Sequence, residues 1–113
     1  MSGLTTHVLD LTVGRPASGV TVTLSRRDAS GVWTSVAERV TDDDGRVRDF
    51  LGGAPLLVGR YQLVFAMGEY FGARGDPAFH PRIPVEFEVT DPDQHHHVPL
   101  LLSPFGYSTY RGS

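Results

Sequence analysis

The chain has 113 residues, 40% hydrophobic and 20% charged, a globular composition with room for one domain spanning residues 1–113. Ten arginines against thirteen acids leave a formal charge of −3. No basic run is present, which argues against nucleic acid or an anionic membrane as partner. Cysteine and lysine are both absent. That removes disulfides, thiolate catalysis, Cys-type zinc sites and Schiff-base chemistry, and leaves catalysis to His, Asp, Glu, Ser, Thr, Tyr, Arg and water. The opening Met1 to His7 has neither the basic nor the apolar region of a signal peptide, and no apolar run is long enough to span a membrane. A cytoplasmic location is therefore expected.

Taken in chain order, the dominant period is two. A first strand is expected at about 5–11, ending at the turn Gly14-Arg15-Pro16. Residues 20–26, Val-Thr-Val-Thr-Leu-Ser-Arg, alternate apolar and polar and predict a half-buried strand. Asp28 to Gly31 turns the chain into a strand at 33–40, and Asp42-Asp43-Asp44-Gly45 turns it again before 46–50. Gly52-Gly53 precedes a strand at 60–67. Residues 68–75 show no alternation and read as a short helix or an irregular loop. Asp76 to Pro84, with three prolines, should be extended and on the surface. Further strands are expected at 84–90, 95–102 and 107–111, separated by Asp91-Pro92-Asp93 and Ser103-Pro104-Phe105-Gly106. Eight short strands at this spacing suggest an all-β sandwich or barrel.

The residues with most chemical potential are five histidines, three of them consecutive. On a strand, His96 shares a face with Val98, Leu100 and Leu102, an apolar set that belongs in the core. His95 and His97 then lie on the opposite face with Pro99 and Leu101. Apolar residues facing away from the core need cover, from another subunit or a pocket wall. In the first strand Val8 points inward, so His7 and Leu9 point outward. General acid–base catalysis is one reading of these histidines, because imidazole titrates near neutral pH. A zinc site using His7, His95 and His97 is another. A third leaves them as a solvated strand start. Arg46 ends the acidic turn, where it reads as a charge-balanced hairpin residue. That turn lacks the Asp-x-Asp-x-Asp-Gly spacing of a calcium loop. The terminal Tyr107-Ser108-Thr109-Tyr110-Arg111-Gly112-Ser113 keeps an alternating pattern where most chain ends fray.

In combination these segments resemble the transthyretin-like proteins. Thr6-His7-Val8-Leu9-Asp10 with Gly14-Arg15-Pro16-Ala17 and Gly19-Val20 is similar to the family's first signature. His95 to Pro104, followed by Tyr107 to Ser113, is similar to the second, and the closing Tyr-Arg-Gly-Ser marks the 5-hydroxyisourate hydrolase branch. The resemblance extends through the Trp33 strand, the Asp44-Gly45-Arg46 turn and the segment from Phe79-His80-Pro81 to Phe87. It implies a β-sandwich of two four-stranded sheets with one short helix in the 68–75 stretch. It also implies a homotetramer, a dimer of dimers with active sites in the clefts between dimers. The implied reaction is hydrolysis of 5-hydroxyisourate to 2-oxo-4-hydroxy-4-carboxy-5-ureidoimidazoline, without a cofactor or metal. The runner-up is a binding protein that holds a small ligand without catalysis. By resemblance, His7, Arg46 and His97 are catalytic, and His7, Arg46, Tyr110 and Ser113 bind substrate. One departure is visible: the family usually has Tyr between the paired histidines, and this chain has His96.

Overall fold

The computed structural model describes residues 3–113. Its strands are β1 (Gly3–Asp10), β2 (Arg15–Pro16), β3 (Thr21–Arg27), β4 (Trp33–Val40), β5 (Arg46–Val47), β6 (Gly59–Ala66), β7 (Arg82–Val89), β8 (His95–Ser103) and β9 (Gly106–Thr109), with α1 (Met67–Ala73) between β6 and β7. One sheet has the order β2-β1-β8-β9, with β5 also paired to β1, and the other has the order β4-β3-β6-β7. β1 and β8 run parallel, in register from Gly3 opposite His95 to Asp10 opposite Leu102. Every other pairing is antiparallel. The fold is an all-β sandwich.

Alternation in the sequence becomes alternation of burial. Along β1 every second residue is buried, namely Leu4, Thr6, Val8 and Asp10. Val22 and Leu24 of β3 and Leu63 and Phe65 of β6 turn inward in the same way. With Val98, Leu100 and Leu102 of β8 they form one core between the sheets. Truncating a fully buried member such as Leu100 to Ala costs ~2–5 kcal/mol from lost burial and the cavity left behind.

The structure departs from the sequence reading in three places. Among the described residues it has nine strands rather than eight, because Arg15–Pro16, read as part of a turn, pairs with Leu9 and Asp10 of β1. Proline is tolerated there because β2 is an edge strand with no ladder donor to lose. The expected strand 46–50 shrinks to Arg46–Val47, after which Phe50 turns into the core. With β2 and β5 both attached to β1, this sheet has five strands where four were implied. Finally, the strand expected at 84–90 begins earlier, at Arg82 on the edge of its sheet, and Ile83 in the extended proline-rich stretch is buried rather than on the surface.

Residues 67–73, where helix and loop stood as alternatives, form α1. Met67 and Phe71, four apart, bury one face of it. Its far end is tied to β1 by Asp10, which is fully buried. One Asp10 oxygen accepts hydrogen bonds from Arg74 Nη1 (2.8 Å) and from the Tyr70 hydroxyl (2.8 Å). Burial pushes the Asp10 carboxyl up, but the bonds from Arg74, Tyr70 and Thr12 outweigh it and hold the group below the ordinary carboxylate range.

Candidate active site

The outer face of the β1–β8 sheet gathers the polar residues that the core excludes. Register places Arg46 opposite His7 across the β1–β5 pair, Thr5 opposite His97, and His7 opposite Pro99 across the β1–β8 pair. Residues directly paired point to the same side of a sheet, so Arg46, His7, Thr5 and His97 share one face. His7 and His97 are diagonal neighbours, at a backbone spacing of about 7–8 Å. On its other side β8 pairs with β9, Leu101 opposite Ser108, and beyond β9 Gly112 bridges to His97. The last residues, Tyr110 to Ser113, therefore run beside the histidine end of β8. Tyr110 and Ser113 are both exposed.

Local chemistry explains how two of these positions are held. Asp42 Oδ1 accepts hydrogen bonds from the backbone N–H groups of Asp44 and Arg46, each 2.9 Å, and its own N–H donates to the Arg46 carbonyl at 2.9 Å. Arg48 pairs with both Asp42 and Asp44. The acidic turn is thus a clamp that delivers Arg46, with its carboxylates engaged by backbone donors and a guanidinium. Gly45 has φ +73°, and a Cβ there would overlap the Val8 carbonyl oxygen, so only glycine lets the turn lie this close to β1. At the other end the Gly112 N–H donates to the His97 carbonyl at 2.8 Å. A Cβ on Gly112 would sit 2.5 Å from His97 Cδ2, so the absence of a side chain lets the tail lie against the ring.

Both outward histidines are shifted toward the neutral form. Burial lowers the His97 pKa most, followed by the positive charge of Arg46 and the neighbouring imidazoles His7 and His95, against a hydrogen bond to the Thr5 backbone. Burial and Arg46 likewise lower His7, against a hydrogen bond to the Asp44 backbone and the charges of Asp42 and Asp44. Arg46 has no ion-pair partner among the described residues. Two neutral imidazoles beside an unpaired guanidinium can accept a proton and stabilise an anion on the same face.

The other histidines separate from this group. His96 is buried, facing the core side as alternation predicts, with Nδ1 donating to the Gln94 carbonyl at 2.9 Å. It lines a cleft of about 230 Å³ between β7 and β9 that contains none of His7, Arg46 or His97. His80 packs edge-on to Phe79 and Tyr107. His95 is on the site face, but its Nε2 meets the Thr5 hydroxyl at 2.9 Å, and His97 Nδ1 meets the same hydroxyl at 2.7 Å. His7, His95 and His97 do not converge as a three-ligand metal group among the described residues.

One expectation changes. Pro99, expected to need outside cover, is already buried within the chain, between His7 on β1 and the tail beyond β9. Leu101 stays half-buried and Leu11 is 60% exposed, so an uncovered apolar surface does border the site. Sequence reasoning also missed Thr5 and Gly112. Thr5 could have been found, because it has the same strand parity as His7. No helix among the described residues is long and apolar enough to cross a membrane.

Comparison with known proteins agrees with this geometry. The 5-hydroxyisourate hydrolase of Caulobacter vibrioides is 53% identical over an alignment that covers all of both chains. The solved 5-hydroxyisourate hydrolase of Klebsiella pneumoniae is 42% identical, with TM-score 0.87, covering 99% of this chain and 100% of its own. Sea bream transthyretin, solved with thyroxine, superposes with TM-score 0.91 at 32% identity, covering 97% of this chain and 94% of its own. Backbone shape alone therefore does not separate hydrolase from carrier. The HIUase/transthyretin family model matches residues 4–112, and the chain belongs to that family.

Proposed function

We propose that this protein hydrolyses 5-hydroxyisourate, using His7, Arg46 and His97 as its catalytic group. The observation that carries the reading is the meeting of those three residues on one outer sheet face, both imidazoles shifted toward neutrality and the guanidinium without an ion pair. A carrier has no need of that set. The identity to proteins named 5-hydroxyisourate hydrolase adds support.

The reaction is ring opening by water. A neutral imidazole, on His7 or His97, takes a proton as the water oxygen adds to the cyclic amide carbonyl, a role worth about 10²–10⁴-fold. Arg46 holds the carbonyl-rich ring and offsets the negative charge that develops on oxygen. The tetrahedral adduct collapses, the ring C–N bond breaks, and the departing nitrogen takes the proton back. The product is 2-oxo-4-hydroxy-4-carboxy-5-ureidoimidazoline, one water heavier than the substrate. Tyr110 and Ser113, on the tail beside His97, close over the substrate. No covalent nucleophile or cofactor enters.

The working form is a homotetramer, a dimer of dimers, in which the apolar surface around Leu101 and Leu11 is covered and the open face becomes a cleft. As one domain in the cytoplasm, the protein acts in urate degradation. The test is to generate 5-hydroxyisourate in situ from urate with urate oxidase and follow its disappearance by ultraviolet absorbance. Wild type, His97→Ala and a no-protein control are run together, because the compound also decays unaided. Faster decay with wild type alone is expected. Decay at the unaided rate with folded wild-type tetramer overturns the reading in favour of a small-ligand carrier.

A further inference from the structure

We propose that Thr5 and His95 are positioning residues that, through a shared hydroxyl, set which nitrogen of His97 carries the proton. The proposal deepens the hydrolase reading and rests on it for its catalytic consequence. The Thr5 hydroxyl stands between two imidazole nitrogens, 2.7 Å from His97 Nδ1 and 2.9 Å from His95 Nε2. Its place is dictated by the parallel register, in which Thr5 lies opposite His97 while His95, two residues earlier on β8, shares the same face. A hydroxyl has one proton to donate. If it donates to His95 Nε2, it can accept from His97 Nδ1–H, and His97 Nε2 is left as a free lone pair. If it donates to His97 Nδ1, the proton of neutral His97 must sit on Nε2, and that nitrogen is no longer a base.

The first arrangement is the one a water-activating His97 requires. The hydrogen bond made by one ring nitrogen decides the state of the other. The reverse arrangement makes His97 Nε2 a donor, which suits protonation of the departing nitrogen. Once His97 Nε2 has taken the proton of water, passing its Nδ1 proton to Thr5 Oγ1 as the Thr5 proton passes to His95 Nε2 leaves a neutral Nε2–H His97 and moves the positive charge to His95. His95 is the exposed end, so it links the half-buried His97 to solvent. The other charged or titratable groups around His97 are Arg46 from β5 and His7 from β1, which favour its neutral form, while a bond to the Thr5 backbone favours a proton on the ring; the Thr5 hydroxyl is the side-chain contact at Nδ1.

The experiment is ¹⁵N NMR of the histidine rings in the intact protein above the imidazole titration range, with turnover measured on the same samples. Wild-type His97 is expected as the Nδ1–H tautomer. Thr5→Val, which keeps the shape and removes the hydroxyl, shifts it toward Nε2–H and lowers kcat by about 10-fold or more at little change in KM, a part of the general-base factor. Thr5→Ser restores both. His95→Phe moves the tautomer the same way as Thr5→Val, because the hydroxyl then turns to His97 Nδ1. A wild-type His97 already in the Nε2–H form, or a Thr5→Val protein with the wild-type tautomer ratio, overturns the proposal. The NMR arm needs no substrate. A tautomer shift with an inactive wild type therefore leaves the relay standing and removes the hydrolase reading, and an active wild type with an unmoved tautomer does the opposite.

Discussion

β1 carries two polar clusters three residues apart, and they are built in opposite ways. At Asp10 the carboxylate is fully buried and every neighbour answers it: Arg74 and Tyr70 donate from the helix end, Thr12 from the following turn, and Arg74 is also held by Asp76. At His7 the face is open, the guanidinium of Arg46 has no ion-pair partner among the described residues, and the imidazoles are biased toward neutrality. The first cluster spends its charge on joining α1 to the sheet. The second holds its charge and its lone pairs available for a ligand. Charge satisfied inside the chain reads as architecture, and charge left over beside shifted titratable groups reads as chemistry.

That contrast is sharpest in mutants that separate activity from stability. His97→Ala should lose about 10²–10⁴-fold in kcat/KM with an unchanged unfolding midpoint, since the ring lies outside the core. The assay is the in situ decay of 5-hydroxyisourate alongside a denaturant melt. A large stability loss would make His97 architectural. Arg46→Ala should cost about 10²–10³-fold, read in the same assay, from loss of the group that offsets the developing oxyanion. Asp10→Ala should show the reverse pattern. It leaves Arg74 without its buried partner, and because the Arg74 side chain keeps 30% exposure the loss sits at the low end for such pairs, about 3 kcal/mol, with residual folded protein still active.

The two clusters should also separate by pH. In the proposed mechanism the base works only when neutral, and burial with the charge of Arg46 holds His7 and His97 below the ordinary imidazole value of 6.5. Activity should therefore hold as pH drops past 6.5 and fall only at lower pH, visible as an acid limb in kcat/KM against pH. Asp10 acts on stability instead. Its folded pKa lies below its unfolded one, so its contribution is complete above pH 3.8 and is lost as pH falls through the folded value, which an acid melt of wild type against Asp10→Asn would show. The smallest effect is expected at His80, packed between Phe79 and Tyr107 away from the site: His80→Ala should keep turnover within about twofold, inside the ±0.5 kcal/mol typical of such surface changes. Equal losses in His80→Ala and His97→Ala would erase the distinction between site and surface.

Much of the site was legible because strand alternation is a strict rule. From Val8 and from Val98, Leu100 and Leu102 alone it follows that His7 and His97 face outward and His96 inward, and the structure agrees at each. The helix was less legible, because only Met67 and Phe71 mark its buried face and two glycines interrupt it. β2 was hidden because an edge pairing of two residues with a proline leaves no periodicity to detect.

Local chemistry along the chain decided the class of fold, the turns, the inward and outward faces of each strand, and the short catalogue of side chains able to do chemistry. Partnership between distant segments was decided only when the sheets closed. Nothing in the alternation of β1 or β8 says that they lie side by side, parallel, with Thr5 opposite His97, since period two fixes a face but neither a neighbour nor a register. The same holds for Arg46, carried to His7 by a turn that fits only because Gly45 has no side chain, and for Gly112, which lets the tail rest on His97. Faces are set by nearest neighbours in the chain, whereas a site needs residues some ninety positions apart to share a few ångströms, and only the packed core supplies that.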